Sequence, residues 1–346
     1  MSYRFRPLAA FMMLAALGQP AVAELPVTWL SQSQTHSAQY PVEVAAFEAL
    51  KGDGFAVQRS EFQTLGLNMA DGLRTASQGT FNIVSATIGS VARDDAFLEG
   101  LDLIGVSTNL DELKVSVDAY RSSFNARLEE RFGVKALAIW PFGAQIFFCN
   151  QPVKSLDDLK GLKIRSFTAS MSTLLSELGA NPVTLSFPEV YPALERGVAS
   201  CGVTSATSAN TGKWPEVTSY VLPLSVSGSV QAHLVNVEWW KSLKPDQQKA
   251  MEGHFRAMED KLWALAVSTN AEALDCTVGK ACESKIYKPY KSKLVDVSDA
   301  DRARVKAISS QKVLTEWAGR CTKVYADCAS VWNKTIGAAM GVSIAN

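Results

Sequence analysis

The chain has 346 residues, with 34 Lys and Arg balanced by 34 Asp and Glu, three His and six Cys. That balance argues against a nucleic-acid or anionic-membrane partner, since both need clustered excess Lys and Arg. The three histidines, His36, His233 and His254, lie far apart in sequence and offer no HxxxH spacing for a metal.

Residues 1–23 read as an export leader. Arg4 and Arg6 form its basic start, Leu8–Leu17 its apolar core, and Ala21-Val22-Ala23 a small-residue cleavage site. The apolar run is too short to span a bilayer. Cleavage after Ala23 leaves 323 residues beginning at Glu24, with 32 basic and 34 acidic side chains, net charge near −2. No cysteine stands at position 24 to carry a lipid anchor. A chain of this length exceeds one typical core and predicts two domains in an oxidising, extracytoplasmic compartment.

The mature chain alternates strand and helix. Val27–Leu30 is a strand, Ala38–Leu50 an amphipathic helix, Phe55–Phe62 a strand, Asn68–Ser77 a helix and Phe81–Ser85 a strand. This βαβαβ order predicts a mainly parallel sheet covered by helices. A helix over Leu110–Arg131 and an apolar segment, Val134–Phe148, follow. Then comes SLDDLKGLKIRSF, residues 155–167: a polar approach, a turn at Gly161, a short strand over 162–164, and Arg165 at its end. The alternation resumes with a helix near Ser170–Leu178, a strand over Val183–Leu185, a helix over Pro188–Arg196 and a strand over Cys201–Thr204. A long strand, Ser229–Val237, precedes a helix opened by Pro245 and running to about Leu274, roughly 45 Å and long enough to brace two domains. No linker separates the halves, so the chain is expected to cross between them several times.

Exported cysteines are expected as disulfides. Cys276 and Cys282 are neighbours, as are Cys321 and Cys328, which leaves Cys149 with Cys201. Seven residues of unbroken helix rise ~10.5 Å, beyond disulfide reach, so Gly319 is expected to end a helix before Cys321. Zinc is the rival reading, but no CxxC supports it. The mature chain has no GxSxG elbow, P-loop, HExxH or GxGxxG. Cys149 and Cys201 lack a local histidine as nucleophiles, and no carboxylate pair stands out by spacing. A secreted hydrolase hidden among the carboxylates is the alternative of a different class.

Arg165 presents a planar fork that matches a carboxylate, although an arginine at a strand end is ordinarily solvated. Its neighbours bear on that choice. KSLDDLKGLKIRSF (154–167), LGANPV (178–183), FPEVYPAL (187–194), RGV (196–198), KWPEV (213–217) and WKSL (240–243) occur in an order that resembles the solute-binding proteins of TRAP (tripartite ATP-independent periplasmic) transporters, the dicarboxylate-binding-protein-like family. The likeness covers essentially the mature chain and is most specific over 156–240.

The resemblance implies an α/β, two-domain periplasmic-binding-protein clamshell of type II-like, Venus-flytrap form, with a long helix bridging both domains. Domain I would hold 24–147 and about 233–272, and domain II 148–232 and about 273–346. The protein would be a periplasmic, non-enzymatic, monomeric receptor with no cofactor, handing a small organic acid to membrane permease subunits. A receptor for an ABC importer is the nearest alternative. Arg165 matches the family's K-I-R arginine, which grips a ligand carboxylate. Gln145 stands where many members carry a second arginine. Ser200-Cys201-Gly202-Val203-Thr204 replaces the family's D-G-Q-E-N run, so Thr204 takes the place of a ligand-binding asparagine. Both changes point to a monocarboxylate rather than a dicarboxylate or sialic acid. Phe187 matches a cleft phenylalanine. Thr87 after the third strand, Gln34 and His36 after the first, and the large rings of Trp140 and Trp214 complete the candidate ligand contacts. Turn, capping and core roles are the ordinary readings of these last five.

Overall fold

The computed structural model describes residues 24–32 and 38–344, so the leader, Gln34 and His36 lie outside the described residues. The first half runs β1 (Leu25–Ser31), α1 (Tyr40–Ala49), β2 (Phe55–Glu61), α2 (Gly72–Ser77), β3 (Ile83–Thr87), α3 (Ile88–Val91), α4 (Ala96–Glu99), α5 (Leu110–Phe132) and β4 (Val134–Pro141). The second runs β5 (Gln145–Cys149), β6 (Lys163–Ser166), α6 (Ala169–Glu177), β7 (Asn181–Thr184), α7 (Phe187–Glu195), β8 (Cys201–Ser205), α8 (Ala206–Thr211) and β9 (Tyr220–Leu222). The chain then adds β10 (Val230–Asn236), α9 (Val237–Ser242), α10 (Pro245–Thr277), β11 (Lys293–Leu294), α11 (Asp299–Ile308), α12 (Leu314–Cys321), α13 (Cys328–Trp332) and α14 (Ala338–Met340).

Local chemistry fixes the ends of these elements. Asn109 starts α5 by accepting from Glu112 N at 2.8 Å, and Gly133, at φ 63°, ends it in the left-handed conformation that glycine adopts freely. Pro245 opens α10, whose 33 residues span ~50 Å.

Two sheets result, in the orders β2-β1-β3-β10-β4 and β11-β9-β5-β8-β6-β7. The parallel expectation holds among β1, β2 and β3, and among β6, β7 and β8. It fails where the chain passes between sheets. β10 enters antiparallel to β3 and β4, and β5 enters antiparallel to β8 and β9. Strands arriving from the opposite half come in reversed.

The passages are short: 142–144 leads from β4 to β5, and 223–229 from β9 to β10. They run side by side. Phe142 N donates to Ser229 O at 3.0 Å, Gly143 N to Gly228 O at 3.2 Å, and Gln145 N to Ser227 O at 2.8 Å. The second sheet's β5 thus begins at Gln145 and the first sheet's β10 at Val230. α10 joins the two passages as a third link, packing on β4 and on α8. Its Trp263 Nε1 donates to Ile139 O, and its Thr277 Oγ1 accepts from Asn210 Nδ2. Residues after 298 do not stay with one half. Trp317 and Trp332 donate to Ala96 O and Gly100 O, whereas Glu316 accepts from Thr173 on α6.

Three disulfides link Cys149 with Cys201, Cys276 with Cys282, and Cys321 with Cys328. The first joins directly opposed residues of β5 and β8. All six sulfurs are thus engaged with one another, and among the described residues no group of His, Cys, Asp or Glu is arranged to hold a metal. The expectation for Gly319 is corrected. α12 runs through it to Cys321, and the turn that lets the sulfurs meet falls in 322–327.

Candidate functional site

The ends of β1, β3, β6 and β8 converge where the two sheets face each other, the usual crevice of an open α/β sheet. An inner chamber of about 40 Å³ lies there, and it opens through Met69, Ser90, Arg165 and Phe167 into a vestibule of about 770 Å³. The walls are in contact. A Cβ on Gly89, the second residue of α3, would stand 2.5 Å from the Thr168 methyl after β6. Beside it, Glu99 Oε1 accepts from Ser170 N at 2.7 Å at the α6 N-terminus, while Glu99 Oε2 pairs with Arg320 at 3.0 Å.

Arg165 stands one residue before the end of β6, because the strand continues to Ser166. Its side chain is 4% exposed. Nε donates to Leu185 O at 3.1 Å and Nη1 to Val203 O at 2.8 Å, which fixes the plane of the fork. One Nη1 proton and the Nη2 edge remain. The Phe167 ring covers the guanidinium at 4.8 Å and the Trp214 ring lies at 5.9 Å. Among the described residues no carboxylate pairs with it. Burial lowers its pKa to about 9, with Glu189 acting weakly the other way, so it stays charged at neutral pH.

The other expected residues divide. Thr204, at the end of β8, and Phe187, at the start of α7, line the inner chamber with Thr87 and Gln145. Trp214 does not line it. Gly202 lets the Trp214 ring press against β8 (a Cβ there would meet it at 2.6 Å), and Trp214 in turn stacks under Phe187 with centroids 5.5 Å apart. Trp214 is therefore a backing for the wall, and the glycine of the SCGVT run is what admits it.

Trp140 is corrected to a core residue. It is fully buried in β4, edge-on to Phe142 and near His233, and lines neither chamber nor vestibule. Gln145 reaches the chamber, but its Nε2 donates to Gly143 O at 2.8 Å and so faces the crossings.

Sequence reasoning missed three contributors. Gln32 directly follows β1, Gln231 lies on β10, and Phe142 begins the first crossing; Gln32 and Phe142 line the chamber. A signal for Gln231 existed: with His233 and Asn236 it interrupts an otherwise apolar, fully buried strand. Asp102 was missed too. Its Oδ2 accepts from Ser227 Oγ and Ser229 N, each at 2.8 Å, and holds Ser229 at φ 54° in the second crossing. Burial raises the Asp102 pKa to about 6 against the lowering effect of these hydrogen bonds.

With this geometry in hand, comparison with known proteins is informative. Residues 111–311 match the model for bacterial extracellular solute-binding protein, family 7. The C4-dicarboxylate-binding periplasmic protein DctP of Rhodobacter capsulatus is 29% identical over 150 residues, 43% of this chain and 45% of the relative. The sialic acid-binding periplasmic protein SiaP of Vibrio cholerae is 23% identical over 215 residues, 59% of this chain and 67% of the relative. The chain thus spans under half the length of the first of these relatives. A Bordetella pertussis extracytoplasmic solute receptor binding pyroglutamic acid superposes with a TM-score of 0.76 at 18% identity, covering 89% of this chain and 99% of that one. A TRAP periplasmic solute-binding protein from Shewanella oneidensis with bound succinate gives 0.74 at 18% identity, covering 92% and 100%. At these identities the likeness to solved structures shows the two-domain fold.

Proposed function

The chain belongs to family 7 of the bacterial extracellular solute-binding proteins, and from that premise we propose that it is a TRAP-type receptor whose inner chamber takes a small organic acid with one carboxylate. Arg165 carries this reading: a buried, charged fork held by two main-chain carbonyls, with no acidic partner among the described residues. A buried charge is costly until it is paired, and a carboxylate is the planar partner that fits its free edge. No other charged side chain among the described residues lines the inner chamber, which favours one carboxylate over two.

In this reading the lobes are built about the two sheets, and 142–144 with 223–229 form the hinge. The closed form is what a membrane permease would recognise, with the receptor acting as a periplasmic monomer. Thr204 and Thr87 supply hydroxyls to the ligand and Phe187 covers its apolar part.

Mass spectrometry of small molecules released from the purified protein should return a monocarboxylic acid. Calorimetry with that acid should show binding lost in Arg165→Ala while the variant melts as a folded protein. Undiminished affinity in Arg165→Ala would remove the assignment of Arg165, and recovery of dicarboxylates alone would remove the monocarboxylate preference.

A further inference from the structure

The near balance of charge over the whole chain conceals one clustered excess. Residues 280–293, KACESKIYKPYKSK, carry five lysines and a single acid, Glu283, in a mature chain that is otherwise acidic. All five lysines are exposed. Lys280 pairs with Asp275 at 3.0 Å, and Lys293 lies 5.9 Å from the Tyr220 ring. Glu216, an acid beside the segment, accepts from Tyr191 and Tyr290. Among the described residues Lys285, Lys288 and Lys291 have no acidic partner.

No helix or strand covers 278–292, yet the segment is fastened at several points. The Cys276–Cys282 disulfide closes its start. Tyr290 N donates to Cys276 O at 2.8 Å, and Lys293 N to Ser219 O at 2.7 Å. The Asn210 side chain clasps Lys288, taking its N–H at 2.9 Å and donating to its carbonyl at 2.8 Å. Tyr287 is buried beneath. These fastenings hold like charges together on the outside, with Ile286 and Leu294 exposed among them at 44% and 38%.

We propose that residues 280–294 form a docking patch for an anionic lipid surface, a bilayer containing phosphatidylglycerol. Two features favour lipid over an acidic protein. The segment has no arginine, the side chain whose fork recognises carboxylates in pairs, whereas lysines act as point charges toward an array of headgroups. Ile286 and Leu294 also supply apolar contact at the headgroup boundary, which an acidic peptide does not need. Each lysine at such a surface strengthens partition roughly fivefold, so the hold is weak and reversible. The acidic remainder of the chain is repelled by the same surface, which confines contact to this patch. A receptor held this way stays beside the membrane in which a permease lies. The proposal stands apart from Arg165 and from the identity of the ligand.

Flotation of the mature chain with vesicles tests it. Equal parts phosphatidylglycerol and phosphatidylcholine should bind the protein about tenfold or more above phosphatidylcholine alone at 50 mM salt, and 500 mM salt should remove the difference. The combined variant Lys285→Gln, Lys288→Gln, Lys291→Gln, Lys293→Gln should lose about a hundredfold in partition with an unchanged melt. Lys285→Glu alone should lose about tenfold or more, which keeps the test open if the combined variant does not fold. Changing four exposed lysines elsewhere, Lys51→Gln, Lys241→Gln, Lys249→Gln and Lys261→Gln, should leave partition within about threefold. No preference for phosphatidylglycerol, a preference that survives 500 mM salt, or equal losses in the two lysine sets overturns the proposal. Lysine-dependent retention on a poly-glutamate resin without binding to the anionic vesicles assigns the patch to an acidic protein face and overturns it as well.

Discussion

Arg165 and Asp102 are buried charged groups handled in opposite ways. The arginine keeps its charge against burial because two carbonyls orient it and its free edge faces the chamber. Arg165→Lys should therefore lose most of the affinity, about tenfold or more by calorimetry, since an ammonium cannot reproduce the planar fork. Asp102 is an acid whose folded pKa lies above its unfolded one, at about 6 against 3.8. Its protonated form favours the folded state, so that contribution is fully present below pH ~4 and is lost as pH rises through ~6. The span is on the order of 3 kcal/mol. Asp102→Asn should gain stability relative to the parent between pH 4 and pH 7.5, measured by parallel thermal melts; parallel pH profiles of the two proteins would remove this account. Of these two residues the sequence pointed only to Arg165. Its motif was legible, whereas Asp102 acts on Ser227 and Ser229, far along the chain, and no local pattern announces that meeting.

At the scale of elements, periodicity and punctuation placed most helices and strands within a few residues, because glycines, prolines and capping side chains act locally. The direction of β5 and β10 was not legible, since a strand's partner is chosen by the whole topology. The short helix carrying Gly89 is similar: nothing nearby shows why it should be glycine, and the reason is the Thr168 methyl across the cleft. Gly89→Ala places a methyl 2.5 Å from that group. It should weaken ligand binding about tenfold by holding the walls apart, while melting without ligand stays the same or rises slightly, as alanine is the better helix former. Small-angle scattering should find the liganded variant less compact than the liganded parent. Unchanged affinity would mean that the walls need not meet there.

For the whole molecule, the crosslinks are unequal in reach. The Cys149–Cys201 bond spans 52 residues, while the others span six and seven. In the chain-entropy model, removing the first by paired Cys→Ser changes should cost about 4 kcal/mol, and removing either of the others about 2. Denaturant melts of the three double variants would check that ranking, and equal losses would show that strain or packing governs instead. The two-lobed plan and its long bracing helix were legible in the alternation and in the family-ordered motifs. The chamber's polar wall was not, because Gln32 just after β1, Thr87 at the end of β3 and Gln231 on β10 are brought together only by the folded sheet.

The side-by-side crossings have a further consequence. In the proposed hinge, two pivots coupled by hydrogen bonds, with a helix passing beside them, would behave as a door hung on two pins and not as a ball joint. Swing would be permitted and twist resisted, so one angle would describe the motion. Spectroscopic labels placed on the two lobes should then act as readings of a single coordinate. Any two label pairs, however positioned, should report the same fraction shut at each ligand concentration.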